Sequence, residues 1–226
     1  MTLYPLDGTV GHVYLIDFMG TDITVVNAAR VSFKKESGYA DGYGKMKDED
    51  IRLIKYLAKH KHWTPFSQPQ VQLRIKMPLF VARQWYKHQI GFTRNEVSRR
   101  YVSDTPECYI PAAWRKAAPN IKQGSLPDES TVDDWHIKDA VASAQDAYDY
   151  LINSGVCPEQ ARMVLPQNMF TEFVEVGSLA AYARLYSLRS SEDAQKEIRD
   201  YAESVGIILR ALFPHSWAAL TEVAPV

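Results

Sequence analysis

Basic, amide, hydroxyl and carboxylate side chains crowd together in one short stretch of the chain. Arg83 and Lys87 stand four residues apart, which places them on one face of a predicted helix, and no acid lies in that helix to pair with them. Taken alone, such a face is more typical of a solvated surface than of an anion site. Glu96, Ser98 and Arg100 change that interpretation, because guanidinium and hydroxyl groups bind phosphate, whereas amides and carboxylates make directional hydrogen bonds to a base or flavin ring. The mixture predicts a nucleotide site, since a nucleic-acid groove would more often interleave basic and aromatic residues.

The composition excludes several classes of protein. The chain has 226 residues, of which 46% are hydrophobic and 12% aromatic, as is typical of a folded domain with a substantial core. The formal net charge of -1 provides no overall field for attracting nucleic acid or a membrane surface. No apolar run approaches the ~20 residues of a membrane span, and residues 1–11 lack the pattern of a secretory signal. Two cysteines, Cys108 and Cys157, imply no disulfide framework, and the cytoplasm is the expected location.

The candidate residues must be positioned by a mixture of helices and strands. Residues 70–77 alternate strictly between apolar and polar side chains, which is the pattern of a half-buried strand. The other predicted strands cover residues 12–19 and 168–176, and the predicted helices cover residues 22–31, 48–59, 78–90, 134–153, 178–188 and 193–212. Because these elements follow no regular βαβ rhythm, the predicted fold is α+β, with a small sheet and helices in a single domain over residues 1–226.

Several shorter segments carry local predictions. Asp22 is predicted to cap the helix that starts there. Residues 34–47 are polar and contain three glycines, which predicts a mobile loop able to cover a site. Residues 104–133 are rich in proline and charge and are predicted to form a loop. Gly155 and Pro158 mark the end of one helix and the start of the next.

Two segments resemble the signature of a known enzyme family. Residues 84–89 are Gln-Trp-Tyr-Lys-His-Gln, and residues 95–101 are Asn-Glu-Val-Ser-Arg-Arg-Tyr. They resemble the flavin-dependent thymidylate synthases (ThyX), whose signature is Arg-His-Arg followed after seven or eight residues by Ser, within a longer Asn-Glu-x-Ser-x-Arg-Tyr pattern. Further blocks resemble the family in the family's own order, at residues 27–33, 62–66, 80–85, 161–166 and 188–189. The resemblance therefore extends over most of the chain.

The resemblance implies an α+β homotetramer whose active sites are built from several subunits. It implies bound FAD, reduced by a nicotinamide cofactor such as NADPH. It also implies transfer of the methylene group of 5,10-methylenetetrahydrofolate to carbon 5 of dUMP, which gives dTMP and tetrahydrofolate. dUMP and the folate are thus the expected small-molecule partners. The family uses no enzyme cysteine as nucleophile, which agrees with a structural role for Cys108 and Cys157.

The resemblance also implies roles for individual residues. Arg189 matches the catalytic arginine that faces the uracil, where a permanently charged donor suits a developing anion. A helix-terminal arginine without that role would instead bind backbone carbonyls, and the other arginines would form surface ion pairs. The expected nucleotide-binding residues are Gln84, Lys87, Glu96, Ser98, Arg99, Arg100, Arg162 and Arg189. The expected flavin- and folate-binding residues are Ser32, His62, Thr64, Lys87, His88, Gln89, Ile90, Glu96, Ser178 and Arg184. No metal site is predicted, because His60 and His62 have no third ligand nearby in the sequence.

Several positions depart from the family pattern. Lys87 and Gln89 replace the two arginines of the signature, so the guanidinium fork is lost at both positions and the charge at one. We hypothesise that Arg94 restores the missing charge toward the flavin. Arg99 stands where relatives commonly have glycine, and Ser178 lies in an altered flavin-binding segment. The flavin contacts are therefore where this chain is expected to differ most.

Three other functions are compatible with the same residues. A related one-carbon transferase would make a different 5-substituted uridine nucleotide from the same activated uracil. A nucleotide- or nucleic-acid-binding protein without catalysis would use the basic residues alone, although the near-neutral net charge and Glu96 argue against it. A flavin reductase would oxidise a nicotinamide cofactor without needing a nucleotide or a folate.

Overall fold

The strictly alternating segment of the sequence forms the middle strand of a sheet. The computed structural model describes residues 1–6, 8, 10–119 and 125–222. In it, strand β3 spans Gln70–Pro78 and turns one row of side chains into the core, as the alternation predicts. That row is fully buried and consists of Val71, Leu73, Ile75 and Met77.

The main sheet is antiparallel throughout and confirms the predicted α+β class. Its strands lie in the order β1 (Thr2–Leu3), β2 (His12–Met19), β3, β7 (Phe170–Ser178) and β4 (Phe92–Glu96). Strand β4 was not predicted, because only its first residue, Phe92, is strongly apolar and no alternation marks the rest. Gly91 has a φ of +82°, a backbone conformation that favours glycine, and it directs the chain into β4.

Most of the helices lie close to their predicted positions, whereas the C-terminal helix was not predicted. The helices are α1 (Asp22–Arg30), α2 (Asp48–Lys59), α3 (Leu79–Trp85), α4 (Trp135–Asn153), α5 (Pro158–Ala161), α6 (Leu179–Arg189), α7 (Lys196–Leu212) and α8 (Pro214–Thr221). Helices α3, α6 and α7 pack against the sheet, and α1, α2 and α8 pack beside them. The shared core contains large, fully buried side chains, among them Phe66, Trp85, Tyr182, Tyr201 and Trp217.

The predicted bounds of one helix and the predicted structure of one loop were wrong. The helix predicted to reach residue 90 ends at Trp85, because the chain turns there and His88 N donates to the Trp85 carbonyl at 3.1 Å. The loop predicted over residues 104–133 contains a hairpin of β5 (Arg115–Ala117) and β6 (Ser125–Glu129), although residues 120–124 of that loop lie outside the described part of the chain. These strands are too short and too polar to leave a periodic pattern.

Asp22 caps a different helix from the one predicted. The N-cap of α1 is Thr21, and Asp22 lies in the first turn of that helix. The buried Asp22 carboxylate accepts hydrogen bonds from the backbone N–H groups of His215 and Ser216, at 3.0 and 2.9 Å. Those residues belong to the first turn of α8, where N–H groups lack partners within the helix. The acid therefore ties the C-terminal helix to α1.

The glycine-containing loop after α1 is anchored near its start. Ser37 exchanges two hydrogen bonds with the side chain of Asn27, at 3.0 and 2.7 Å. Its hydroxyl also donates to the buried carboxylate of Asp50 at 2.5 Å, and Arg30 binds the other oxygen of that carboxylate. Mobility is therefore to be expected only beyond Ser37, and it stays a prediction.

Candidate active site

Arg189, the last residue of α6, is held by two hydrogen bonds from its guanidinium. Its Nε donates to Nε2 of His88 at 2.9 Å, and its Nη2 donates to the backbone carbonyl of Gln84 at 3.2 Å. The carbonyl belongs to α3 and not to the helix that carries Arg189, so this arginine does more than terminate its own helix. The remaining guanidinium N–H groups are available as a fixed cationic donor set.

The environment of His88 keeps its ring neutral. Burial and, to a smaller extent, the positive charges of Arg189, Arg94 and Arg184 together lower the pKa of His88 to about 4. A neutral imidazole has one donor and one acceptor nitrogen, and Nε2 accepts from Arg189, so the proton belongs on Nδ1. His88 thus acts as the acceptor that orients the arginine.

Replacing Arg189 with alanine should raise the pKa of His88, because a nearby positive charge is removed. The increase should be partial, since burial is the larger cause and remains. Titrating the histidine rings by NMR in both proteins measures this shift, and the other histidines in the same spectra serve as controls. A His88 pKa that is the same in both proteins would contradict the arrangement described here.

A polar cleft of about 480 Å³ lies beside Arg189. Gln84 and Gln195 line it and are joined to each other, because Gln84 Nε2 donates to Gln195 Oε1 at 2.6 Å. Arg115 lines another side and forms a two-bond ion pair with Glu197, at 2.8 and 3.0 Å. The cleft therefore presents two cations, two amides and the carboxylate of Asp193 from elements far apart in sequence, a combination suited to a flat polar ring.

A second groove, of about 530 Å³, lies between the end of α2 and α6. His62, Trp63 and Arg184 line it, and Arg184 Nη2 donates to the carbonyl of Ile90 at 2.6 Å. Trp63 is 63% exposed, which leaves an aromatic face available beside two cations, Arg184 and Lys61. Such a groove can accept both a planar ring and an anionic group.

The expected phosphate-binding residues lie at a third place. Arg100 Nε is 3.4 Å from a carboxylate oxygen of Glu159, and Arg162 Nε donates to the backbone carbonyl of Glu159 at 3.3 Å. Ser98 accepts from the backbone N–H of Arg100 at 3.3 Å, while Arg99 binds Asp104. None of these side chains lines the cleft beside Arg189. Within one copy of the chain, the predicted nucleotide-binding residues therefore lie in two separate groups.

Arg94 is occupied by a partner within the chain. It forms an ion pair with Glu175, which is fully buried, on the neighbouring strand β7. The Arg94 guanidinium also lies over the rings of Phe92 and Tyr86, 4.7 and 5.6 Å from their centroids. The hypothesis that Arg94 replaces a flavin-binding charge therefore meets a competing structural role.

The other predicted site residues are distributed around these features. Glu96 is exposed at the end of β4 and accepts from the Thr171 hydroxyl at 2.5 Å. Ser178 is buried, and its hydroxyl caps α6 by accepting from Ala181 N at 3.2 Å. The remaining ones are exposed and lie in the turns after α1, α2 and α3: Ser32, Thr64, Lys87, Gln89 and Ile90.

Sequence reasoning missed three residues of the polar cleft and its border, namely Arg115, Gln195 and Glu197. Arg115 lay in a segment predicted to be loop, and no pattern there distinguishes it. Gln195 and Glu197 lie near the start of the helix predicted over residues 193–212, where polar residues are common. Their closeness in sequence to Arg189 was the available signal.

Two further features concern metals and membranes. Within residues 1–6, 8, 10–119 and 125–222, no group of three or more His, Cys, Asp or Glu side chains is placed to hold a metal ion. In the same part of the chain, no helix is long and apolar enough to cross a membrane.

Comparisons with known proteins point in one direction. The profile of the family described as thymidylate synthase complementing protein matches residues 14–215. The chain is 40% identical over 215 residues to a flavin-dependent thymidylate synthase of Thermus thermophilus, covering 94% of this chain and 76% of that relative. It is 36% identical over 216 residues to the flavin-dependent thymidylate synthase of Thermotoga neapolitana, covering 95% of this chain and 92% of that relative.

A solved structure matches over nearly the whole fold. The UMP/dUMP methylase PolB from Streptomyces cacaoi, bound with 5-Br dUMP, superposes with a TM-score of 0.78 and 27% sequence identity. The match covers 93% of this chain and 94% of PolB. A second structure of PolB, bound with 5-Br UMP, gives a TM-score of 0.79 at 26% identity and covers 93% of each chain.

Proposed function

The chain belongs to the family of thymidylate synthase complementing proteins, and on that premise we propose that it is a flavin-dependent thymidylate synthase that converts dUMP to dTMP. The transferred carbon comes from 5,10-methylenetetrahydrofolate, and NADPH is the proposed reductant. The cytoplasm is the proposed location. The observation that carries the proposal is the fixed pair of Arg189 and neutral His88 beside Gln84 in the polar cleft.

The chemistry of that pair suits a uracil ring. Forming a bond at carbon 5 of uracil is helped by negative charge on the ring, and a guanidinium stabilises such charge at any physiological pH. His88 holds Arg189 in place through an uncharged acceptor. It therefore does not neutralise the positive charge of Arg189, which stays available to the uracil ring. Gln84 adds an amide that can hydrogen-bond to the polar edge of the base.

The lining of the groove between α2 and α6 supports the proposal that FAD binds there. Its exposed aromatic and apolar faces suit the ring systems, and its cations suit the diphosphate. We propose that His62 and Arg184, which line the groove, hold the cofactor together with Thr64 and Ser32, which lie outside its lining, and that His88 lies next to it. When bound, FAD would supply the reducing equivalents that the transferred carbon needs.

Two copies of the chain are needed to complete the nucleotide site under this proposal. Gln84 and Arg189 would read the base, while Ser98, Arg100 and Arg162 of another copy would bind the phosphate. The separation of these two groups within one chain supports an assembled site, and a homotetramer is the proposed assembly. Formation of the assembly would release Arg100 and Arg162 from Glu159.

A product assay tests the proposed function. The purified protein is incubated with dUMP, 5,10-methylenetetrahydrofolate, FAD and NADPH, and the nucleotide products are identified by mass spectrometry, with each component omitted in turn. We expect dTMP only in the complete mixture. A parallel reaction with UMP is informative, because PolB is described as acting on both nucleotides. An adduct of different mass would indicate another one-carbon transfer.

Two outcomes would overturn the proposal. Unchanged dUMP in a protein that demonstrably binds both dUMP and FAD would exclude synthase activity. Rapid NADPH oxidation that needs neither dUMP nor folate, without a nucleotide product, would instead indicate a flavin reductase.

A further inference from the structure

A hydrogen-bond network of four side chains extends from the β5–β6 hairpin to the polar cleft. Arg115 donates two hydrogen bonds to Glu197, at 2.8 and 3.0 Å. Gln195 Nε2 donates to the same Glu197 at 2.9 Å, and Gln84 Nε2 donates to Gln195 Oε1 at 2.6 Å. All four side chains are buried or partly buried, and Glu197 is only 5% exposed. Water therefore has little access to the Glu197 carboxylate, whereas the other three side chains border the cleft.

The donor and acceptor roles in this hydrogen-bond network are determined by Glu197. Burial opposes ionisation of this acid, but hydrogen bonds from Arg115, from its own backbone and from Gln195 outweigh that effect and lower its pKa. An ionised carboxylate can only accept hydrogen bonds, so Gln195 must turn its NH₂ group toward Glu197. The Gln195 oxygen then faces Gln84, and Gln84 must donate to it. A carboxamide that could otherwise point either way is thereby fixed.

The fixed orientation decides what Gln84 offers to a ligand. One of the two Nε2 hydrogens is donated to Gln195, and Oε1 has no hydrogen-bond partner among the described residues. Beside it, Arg189 supplies only donors. Where Gln84 and Arg189 line the cleft, its wall therefore offers an acceptor and cationic donors, and Asp193 and Arg115 line it as well. The complementary ligand edge is a carbonyl next to a ring N–H, as in uracil.

We infer that Arg115, Glu197 and Gln195 are positioning residues that make the cleft select uracil over cytosine nucleotides by fixing the amide of Gln84. This inference rests on the proposed function, in which Gln84 and Arg189 read the base. A cytosine held in the same pose would set the lone pair of its N3 against the Gln84 oxygen. A free amide could flip to donate to that nitrogen, but the fixed amide cannot do so without breaking the hydrogen bonds described above.

Binding measurements on the FAD-loaded protein test the inference. Dissociation constants for dUMP and for dCMP are determined by calorimetry for the wild type, for Gln195→Met and for the control Gln167→Met. Methionine preserves side-chain length and removes the hydrogen bonds, and Gln167 is an exposed glutamine outside the cleft. We expect the preference for dUMP over dCMP to fall by about tenfold in Gln195→Met, the scale of one hydrogen bond to a buried polar group, and to be unchanged in Gln167→Met.

The ratio of the dissociation constants for dUMP and dCMP distinguishes a positioning role of Gln195 from a general loss of nucleotide binding. A merely structural role for Gln195 would weaken both nucleotides equally, and an unchanged ratio would overturn the inference. Glu197→Gln provides a second route if Gln195→Met does not fold, because an amide at residue 197 permits both orientations of Gln195 and should also lower the ratio. Failure of the wild type to bind dUMP would instead overturn the proposed function itself, so the two failures are distinguishable.

Discussion

Replacing Arg189 with alanine should reduce the rate of dTMP formation by roughly 100- to 1000-fold, the scale seen when one fixed donor to a developing anion is removed. The guanidinium contributes a permanent charge, and its bonds to His88 and to the Gln84 carbonyl fix its position. Arg189→Lys should recover only part of the rate, because an ammonium keeps the charge but cannot reproduce both bonds of the planar fork. The rates are measured under single turnover, so that product release does not mask the chemical step.

The control for this prediction is Arg210→Ala. Arg210 is exposed near the end of α7, so the same side-chain truncation there should leave the rate unchanged. Binding of dUMP should weaken much less than the rate in Arg189→Ala, if the arginine acts mainly on charge that develops during the reaction. A variant that retains the wild-type rate would show that Arg189 is only a structural helix terminus.

The sequence predicted the scaffold better than the contacts that make the site. The alternation over residues 70–77 was sufficient for β3, because one face of that strand is fully buried and the other is not. The end of α3 could not be predicted in the same way. It depends on a turn that closes onto Trp85 and on the left-handed conformation of Gly91, both of which are determined by where β4 pairs with β7.

In the candidate site, too, individual residues could be predicted from the sequence but the contacts between them could not. Arg189 and His88 were identified through the resemblance, but their direct hydrogen bond joins residues 101 positions apart, and nothing local in the sequence indicates it. The hydrogen-bond network from Arg115 to Gln84 likewise joins residues that are far apart in the sequence. Motif matching finds the residues that contact ligands, whereas residues that orient them become visible only when the fold brings them together.

The same limit applies to Arg94, whose sequence position suggested a flavin contact. Strand β7 turns Glu175 inward, so a carboxylate lies in the core, where burial raises its pKa although Arg94 opposes that shift. The acid is also 3.3 Å from the Trp85 indole nitrogen. A buried acid on a strand is unexpected from composition alone, and the cation that stabilises it comes from β4, the strand that the sequence did not predict.

Replacing Arg94 with methionine should therefore destabilise the fold by about 3–5 kcal/mol, because it leaves a buried carboxylate without its cation. The matched control is Arg74→Met on the same sheet. Arg74 pairs with Glu172 at 2.7 Å, but its side chain is 55% exposed, so that pair should contribute only about 0–1 kcal/mol. Urea unfolding of both variants gives the two free energies, and equal losses would contradict the special role of the buried pair.

The loss in Arg94→Met should also depend on pH. Without the guanidinium, the pKa of Glu175 in the folded protein rises further above its value in the unfolded chain, so the folded state holds the proton more tightly. The penalty is then small below the unfolded pKa and grows as the pH rises through the folded pKa, where the buried acid ionises. Unfolding at pH 5 should accordingly show a smaller loss than unfolding at pH 8. Adding Glu175→Gln should remove most of this pH dependence, because the titrating group is gone, and a dependence that persisted in the double variant would assign it to another residue.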